Sequence, residues 1–179
     1  MVATPAAAST DQMNQPDTAD PSTARRVATA GATIGIGMGG FVDGILFHQI
    51  LQTHSMLSAR IGRASIVALE VNMFWDGLFH ALTWTVTALG IAMLWRAGAH
   101  ARRFPPPATF VGALLLGWGA FNLVEGVIDH HLLSVHHVIE NADHLGPDLL
   151  FLASGVLLAG LGWFIARPHI PWAAPKGRA

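Results

Sequence analysis

A chain of 179 residues has room for one domain. Its 52% hydrophobic and 12% charged residues, with a mean hydropathy of +0.46, set it apart from ordinary soluble domains. A formal net charge of −1 offers no basic face for nucleic acid. The lack of cysteine removes disulfides, thiolate metal sites and redox thiols, and the lack of tyrosine removes tyrosyl-radical and tyrosine-ligand chemistry.

Residues 1–24, rich in Ala, Thr, Asp, Gln and Pro and without apolar periodicity, read as a disordered tail. Arg25-Arg26 has the form of a twin-arginine signal. No small-residue cleavage site follows a short apolar core, so the next run is expected to remain as a membrane span. At about 1.5 Å per residue, four runs are long enough to cross a bilayer: roughly 27–51, 66–95, 108–128 and 149–166. Between the second and third, Arg102-Arg103-Phe104-Pro105-Pro106-Pro107 breaks the helix, because successive prolines remove donors and restrict the residues before them. The expectation is an all-α, four-helix membrane bundle over 25–167, with a second tail at 168–179.

Arg25, Arg26, Arg96, Arg102, Arg103, Arg167, Lys176 and Arg178 fall on one side of these spans, and only Arg60 and Arg63 on the other. The positive-inside rule then places both termini in the cytoplasm, with Trp95 and Trp163 at the cytoplasmic interface. Within the first span Gly31, Gly35 and Gly39 recur every four residues, as do Gly40 and Gly44, a spacing that permits close helix approach.

Two segments align without a gap. Asp43-Gly44, His48 and His54 are matched 82 residues later by Glu125-Gly126, His130 and His136, both as acid-Gly-x3-His-x5-His. The second span carries Asp76-Gly77-Leu78-Phe79-His80, and the fourth opens Asp148-Leu149-Leu150-Phe151-Leu152, keeping the acid and losing the histidine. Spans one and three run in the same direction, so a duplicated helical hairpin with a parallel repeat is expected.

Depth gathers these residues. Asp43, His80, Glu125 and Asp148 lie about 16–19 residues from the cytoplasmic edge, roughly 24–29 Å deep. His48, Asp76 and His130 lie about a turn farther out, and His54 and His136 are expected at the outer surface. Ionisable groups at such depth cost several kcal/mol unless they are paired or face a wet cavity. Asn72, Asp76 and His80 form one helical stripe, and Asn122, Glu125 and Asp129 another, with Asn72 and Asn122 in supporting positions. On an ideal α-helix Asp43 and His48 stand about 140° apart, so a shared site needs a helix end, a π-bulge or several helices. His54, extrapolated along the helix, lies roughly 16 Å beyond Asp43, which argues for several helices or two sites. After the third span come His131, His137, Glu140, Asp143 and His144. The helical spacing of His137, Glu140 and His144 predicts an outer lid or second site, or else a solvated interfacial helix. His100 and His169 read as surface residues.

Imidazole and carboxylate without thiolate suit copper(II), zinc, iron or manganese, with copper and zinc leading. The Glu-x-x-His pattern of di-iron bundles is missing. Haem, on opposed histidines such as His48 and His130, is the runner-up, as an electron carrier. A hydrogen-bonded polar plug in a non-catalytic subunit of a larger membrane complex is the structural alternative. For catalysis, Glu125 or Asp129 would serve as base. Expected partners are the bilayer, a metal ion and a second copy or membrane complex.

The strings GGFVDGILFHQILQTHSML, NMFWDGLFHA and FNLVEGVIDHHLLSVHHV resemble a family of bacterial predicted membrane proteins known as domain of unknown function 2243. The resemblance covers about residues 27–166 and implies a four-span protein of the bacterial inner membrane. It implies no activity, and so no catalytic roles. Asp43, His48, His54, Asp76, His80, Glu125, His130 and His136 match its motif positions. The Asn-x3-Asp-x3-His stripe of the second span is also similar to copper ligands in membrane methane-oxidising enzymes, a likeness of ligand type rather than kinship.

Overall fold

The structure, a computed structural model, describes residues 19–140 and 143–170. The segments 1–18 and 171–179, which hold most of both expected tails together with Lys176 and Arg178, lie outside the described residues.

Helix α1 (Pro21–Val42) starts where the Asp20 side chain accepts the Ser22 backbone N–H at 3.1 Å and Pro21 fills the first turn. Residues 21–24, expected in the tail, therefore open the helix: a cap and a proline decide the boundary where apolar periodicity does not reach. α1 runs on as a π-helix, π1 (Asp43–Ile50). The short α2 (Ser58–Ile61) sits in the following loop. α3 (Ile66–Ala99) is capped by Ser65, whose hydroxyl accepts from Ala68 N–H at 3.2 Å. α4 (Pro107–Glu125) starts on the last proline of the breaker run and continues as π2 (Gly126–Leu132). α5 (Leu145–Ala166) begins four residues before its expected start.

Among the described residues there are no strands. The four stretches Pro21–Ile50, Ile66–Ala99, Pro107–Leu132 and Leu145–Ala166 are each long and apolar enough to cross a membrane. α1 packs against both α3 and α4, and α4 against both α1 and α5. The helices thus stand in an open row, α3–α1–α4–α5, with the two central ones the more buried. Large apolar side chains face outward, as in Trp84, Leu150, Leu157 and Phe164. Inside, the largest fully buried side chains include His54, His130 and His136. A bilayer asks for this reversal, since lipid solvates the apolar exterior and polar groups are tolerated only within.

Glycine makes the row possible. Gly31, Gly35 and Gly39 face α4, while Gly37, Gly40 and Gly44 face α3. A Cβ on Gly35 would meet the Leu114 carbonyl, and a Cβ on Gly117 would meet that of Ala32. Both residues of each contact move by 82 between the two. At the flanks Gly37 meets Thr83 and Thr87, and Gly119 meets Gly155 and Ala159. There the central helix moves by 82 and the outer helix by 72.

Candidate metal centre

The site is made by how α1 and α4 end. In π1 and π2 the last turns close over five residues, with Leu51 N–H to Leu46 O at 2.8 Å and Leu133 N–H to Ile128 O at 2.7 Å. The wider turn brings positions five apart close to one face, so His48 Nε2 lies 3.0 Å from Asp43 Oδ2. Gln52 (φ 52°) and Ser134 (φ 46°) then take left-handed backbone and reverse the chain. Thr53 N–H reaches back to Phe47 O at 3.0 Å, and Val135 N–H to Asp129 O at 2.9 Å.

These reversals correct the reading of His54 and His136 as outer-surface residues. Both are 0% exposed. His54 Nε2 returns to 3.7 Å from Asp43 Oδ1, and His136 Nε2 to 3.4 Å from Glu125 Oε1. Extrapolating a helix through position 54 fails because the helix stops at Ile50. One compact layer therefore uses every acid and histidine of the repeated motif.

In that layer the rings of His54 and His136 stack at 4.7 Å and 3°. His48 meets His54 edge-on at 4.5 Å, and His130 meets His136 likewise at 4.9 Å. The cross pairs are His48–His136 at 5.9 Å and His54–His130 at 6.4 Å. Each distance has its near-equal under the 82-residue shift.

Loop carbonyls fix two tautomers. His54 Nδ1 lies 3.0 Å from Val138 O, and His136 Nδ1 lies 3.2 Å from Met56 O. A carbonyl only accepts, so both Nδ1 atoms carry a proton and both Nε2 atoms turn toward the layer. Each histidine is held by the loop of the other half. Burial, reinforced by the nearby imidazoles of His54 and His130, pushes the His136 pKa down to about 3, leaving a neutral ligand.

Carboxylates hold the other two rings. His48 Nδ1 is 3.0 Å from Asp76 Oδ1, and His130 Nδ1 is 3.5 Å from Asp148 Oδ1. The same oxygens accept Met56 N–H at 2.8 Å and Val138 N–H at 2.9 Å. Asp76 and Asp148 are thus placed as orienting partners, one helix out from the rings they face.

The interior of the layer is short of partners. Both oxygens of Asp43, Glu125 Oε2, both ring nitrogens of His48 and of His130, and Nε2 of His54 and His136 are buried without a hydrogen bond. Buried polar atoms are nearly always satisfied. The Glu125 carboxyl also stands near that of Asp43, like beside like. Two ligands bonded at about 2.0–2.2 Å to one tetrahedral ion sit roughly 3.3–3.6 Å apart, close to the spacings here. One ligand atom from each of His48, His54 and His136 lies within 4.8 Å of the others, and so does a set from Glu125, His130 and His136. The donor chemistry and the orphaned atoms therefore fit a cation.

Other expected residues stand elsewhere. His80 is half-buried, its Nδ1 2.6 Å from Asp76 O and its ring packed against Gly44, outside the layer. Asp129 is half-buried and belongs to neither ligand set; its backbone carbonyl ties the π2 turn. His131 is exposed, with Nδ1 on Gly126 O at 2.7 Å. Asn122 Nδ2 donates to Ser154 Oγ at 3.0 Å and so joins α4 to α5. Asn72 accepts Leu57 N–H at 3.0 Å and donates to Gly62 O at 2.8 Å, pinning the first loop.

Among the described residues, no helix joins His137, Glu140 and His144, despite their helical spacing. Residues 133–140 form an irregular loop, because Glu140 Oε1 accepts from Ser58 Oγ at 2.7 Å and from His137 N–H at 3.1 Å rather than facing solvent. His137, His144 and Asp148 still form a ligand-competent group. Sequence reading missed the two left-handed turns and the anchoring carbonyls of Met56 and Val138. The one available signal was the 82-residue offset, which pairs Gln52 with Ser134 and Met56 with Val138.

No curated protein and no solved structure matches this sequence. A family model described as a predicted membrane protein, DUF2243, matches residues 30–169, from within the first helix to beyond the end of the last, and takes in both loops of the layer. On that match the chain belongs to the DUF2243 family of predicted membrane proteins.

Proposed function

We propose that this chain is a metal-binding protein of the bacterial inner membrane, with both termini in the cytoplasm. Its centre lies near the outer face and consists of His48, His54, His130 and His136 with Asp43 and Glu125. Asp76 and Asp148 orient two of the rings, and two related helical hairpins make the whole. The arginines support the orientation: Arg25, Arg26 and Arg96 line one cavity at the end opposite the centre, and among the described residues only Arg60 and Arg63 stand at the centre's end. Contacts recurring at offsets of 82 and 72 support the duplication.

One observation carries the reading: four buried imidazoles and two carboxylates converge on one layer, and their inward-facing nitrogens and oxygens meet one another without a well-aligned hydrogen bond. Copper(II) and zinc fit an oxygen-and-nitrogen donor set without sulfur. Such an ion would supply Lewis acidity, and copper one-electron chemistry as well, in metal handling or metal-dependent oxidation. Ring-to-ring distances of 4.5–4.9 Å favour a bare ion over haem, since a porphyrin needs the space these rings fill.

Elemental analysis of the purified full-length protein tests this. Stoichiometric metal is expected in the parent and a loss in His48→Ala and His130→Ala. A parent that carries no stoichiometric metal, even after incubation with copper or zinc, overturns the reading.

A further inference from the structure

Asp148 faces two ways. Its Oδ1 looks inward, accepting Val138 N–H at 2.9 Å and lying 3.5 Å from His130 Nδ1. Its Oδ2 looks outward to His137 Nδ1 at 2.7 Å. The His137 ring stacks on that of His144 at 3.8 Å and 26°. One ligand atom from each of His137, His144 and Asp148 lies within 4.8 Å of the others. The group grades from half-buried at its two imidazoles to sealed at Asp148, which is 1% exposed.

The first half shows that this loop does not need imidazoles to hold its shape. Under the same offsets, His137, His144 and Asp148 correspond to Ser55, Asn72 and Asp76. Asp76 keeps the inward role of Asp148, accepting Met56 N–H and facing His48. Asn72 spends its amide on Leu57 N–H, Gly62 O and Ala68 O, closing that side with neutral hydrogen bonds. Two imidazoles thus stand on one side only, against the carboxylate that already touches the buried layer.

We propose that His137, His144 and Asp148 form a second site for a divalent transition-metal ion, through which the ion reaches the buried centre. The access role rests on the buried centre proposed above; the site itself does not. Two nitrogens and one oxygen suit zinc or copper(II), and three protein ligands leave a position for water, so the ion stays exchangeable. Asp148 belongs to this site through one oxygen and abuts His130 through the other, so transfer inward is an exchange of ligands at a shared carboxylate.

The test is a zinc titration of the metal-free, full-length protein in detergent, following both affinity classes and the rate at which the tight class fills. The double variant His137→Ser, His144→Asn gives the second half the residues of the first. It should lose the weaker class, keep the tight one at equilibrium, and fill it at least about 10-fold more slowly. His144→Asn alone, at a half-buried position, gives the same result in weaker form and guards against misfolding. His54→Ala with His136→Ala should abolish the tight class and leave the weaker one. Both classes and the loading rate unchanged in the double variant overturn the site. Loss of the weaker class at unchanged rate overturns the access role. A parent with only the weaker class sinks the buried centre and leaves this site standing.

Discussion

The two ends of the repeated motif use one backbone solution and two side-chain chemistries. In the first half, Asp76 holds Met56 N–H and His48, and Asn72 closes the loop behind it with amide hydrogen bonds. In the second half, Asp148 holds Val138 N–H and His130 in the same way, but behind it stand His137 and His144. What the halves share is therefore what the buried layer needs: a π-turn, a left-handed reversal, a returning histidine and a carboxylate one helix away. Where they differ is what faces outward. Under the proposed reading, the comparison separates holding a metal, assigned to both halves together, from exchanging it, assigned to one.

The largest effect should come from the stacked pair at the middle of the layer. His54→Ala and His136→Ala should each lower metal affinity by about 100-fold or more, since even orienting residues are worth about 10–100-fold. Competition titration against a chelator measures this. Equal losses would show that the halves contribute equally; retention in either variant would remove that ring from the ligand set. The carboxylates should separate the halves next. Asp76→Asn and Asp148→Asn should each cost about 10–100-fold. Asp148→Asn should also erase the weaker outer class, which Asp76→Asn leaves intact.

These contrasts were only partly legible in the sequence. The four helices, the proline break and the shared depth of Asp43, His48, Glu125 and His130 follow from composition and spacing, because a bilayer penalises polar groups unless they meet. The acid-to-histidine spacing of five admits a π-turn, beside a helix end or a site shared among helices. What spacing could not give was the return of His54 and His136. That depends on left-handed backbone at Gln52 and Ser134, neither of them a glycine, and on carbonyls that carry no side-chain signature. His80 misled for a related reason. It shares a stripe with Asp76, but its Nδ1 is engaged by the backbone one turn before it.

Smaller effects probe the scaffold. Gly35→Val and Gly117→Val place a Cβ against the facing backbone, and each should destabilise the protein by about 1–3 kcal/mol through overpacking. Thermal unfolding in detergent measures it. If the α1–α4 seam is the axis relating the halves, the two losses match. A variant at either position as stable as the parent would show that the seam gives way.

Acid should act through His136. Folded, it titrates at about 3, well below the ordinary histidine value near 6.5. Below that ordinary value the unfolded chain takes up a proton that the folded chain refuses. Its contribution is therefore complete above about pH 6.5 and declines as the pH falls toward 3. The slope approaches about 1.4 kcal/mol per pH unit. In the metal-free protein, His136→Gln should flatten unfolding free energy against pH between 6 and 4. An unchanged slope would mean that this ring is already protonated in the fold.

The smallest effect bears most directly on whether the two reversals are equivalent. A non-glycine residue in the left-handed region costs about 1–2 kcal/mol, and glycine gives back part of that gain through backbone entropy. Gln52→Gly and Ser134→Gly should each stabilise the metal-free protein by up to about 1 kcal/mol, whereas Gln52→Val and Ser134→Val should destabilise it by a comparable amount. Backbone conformation alone predicts the same sign at both positions. If only Gln52→Gly stabilises, the Ser134 side chain does something that Gln52 does not. Its hydroxyl lies 3.4 Å from His130 O, so the second half would then use its turn residue to steady the backbone that carries His130. Equal gains would confine the difference between the halves to the outward-facing imidazoles.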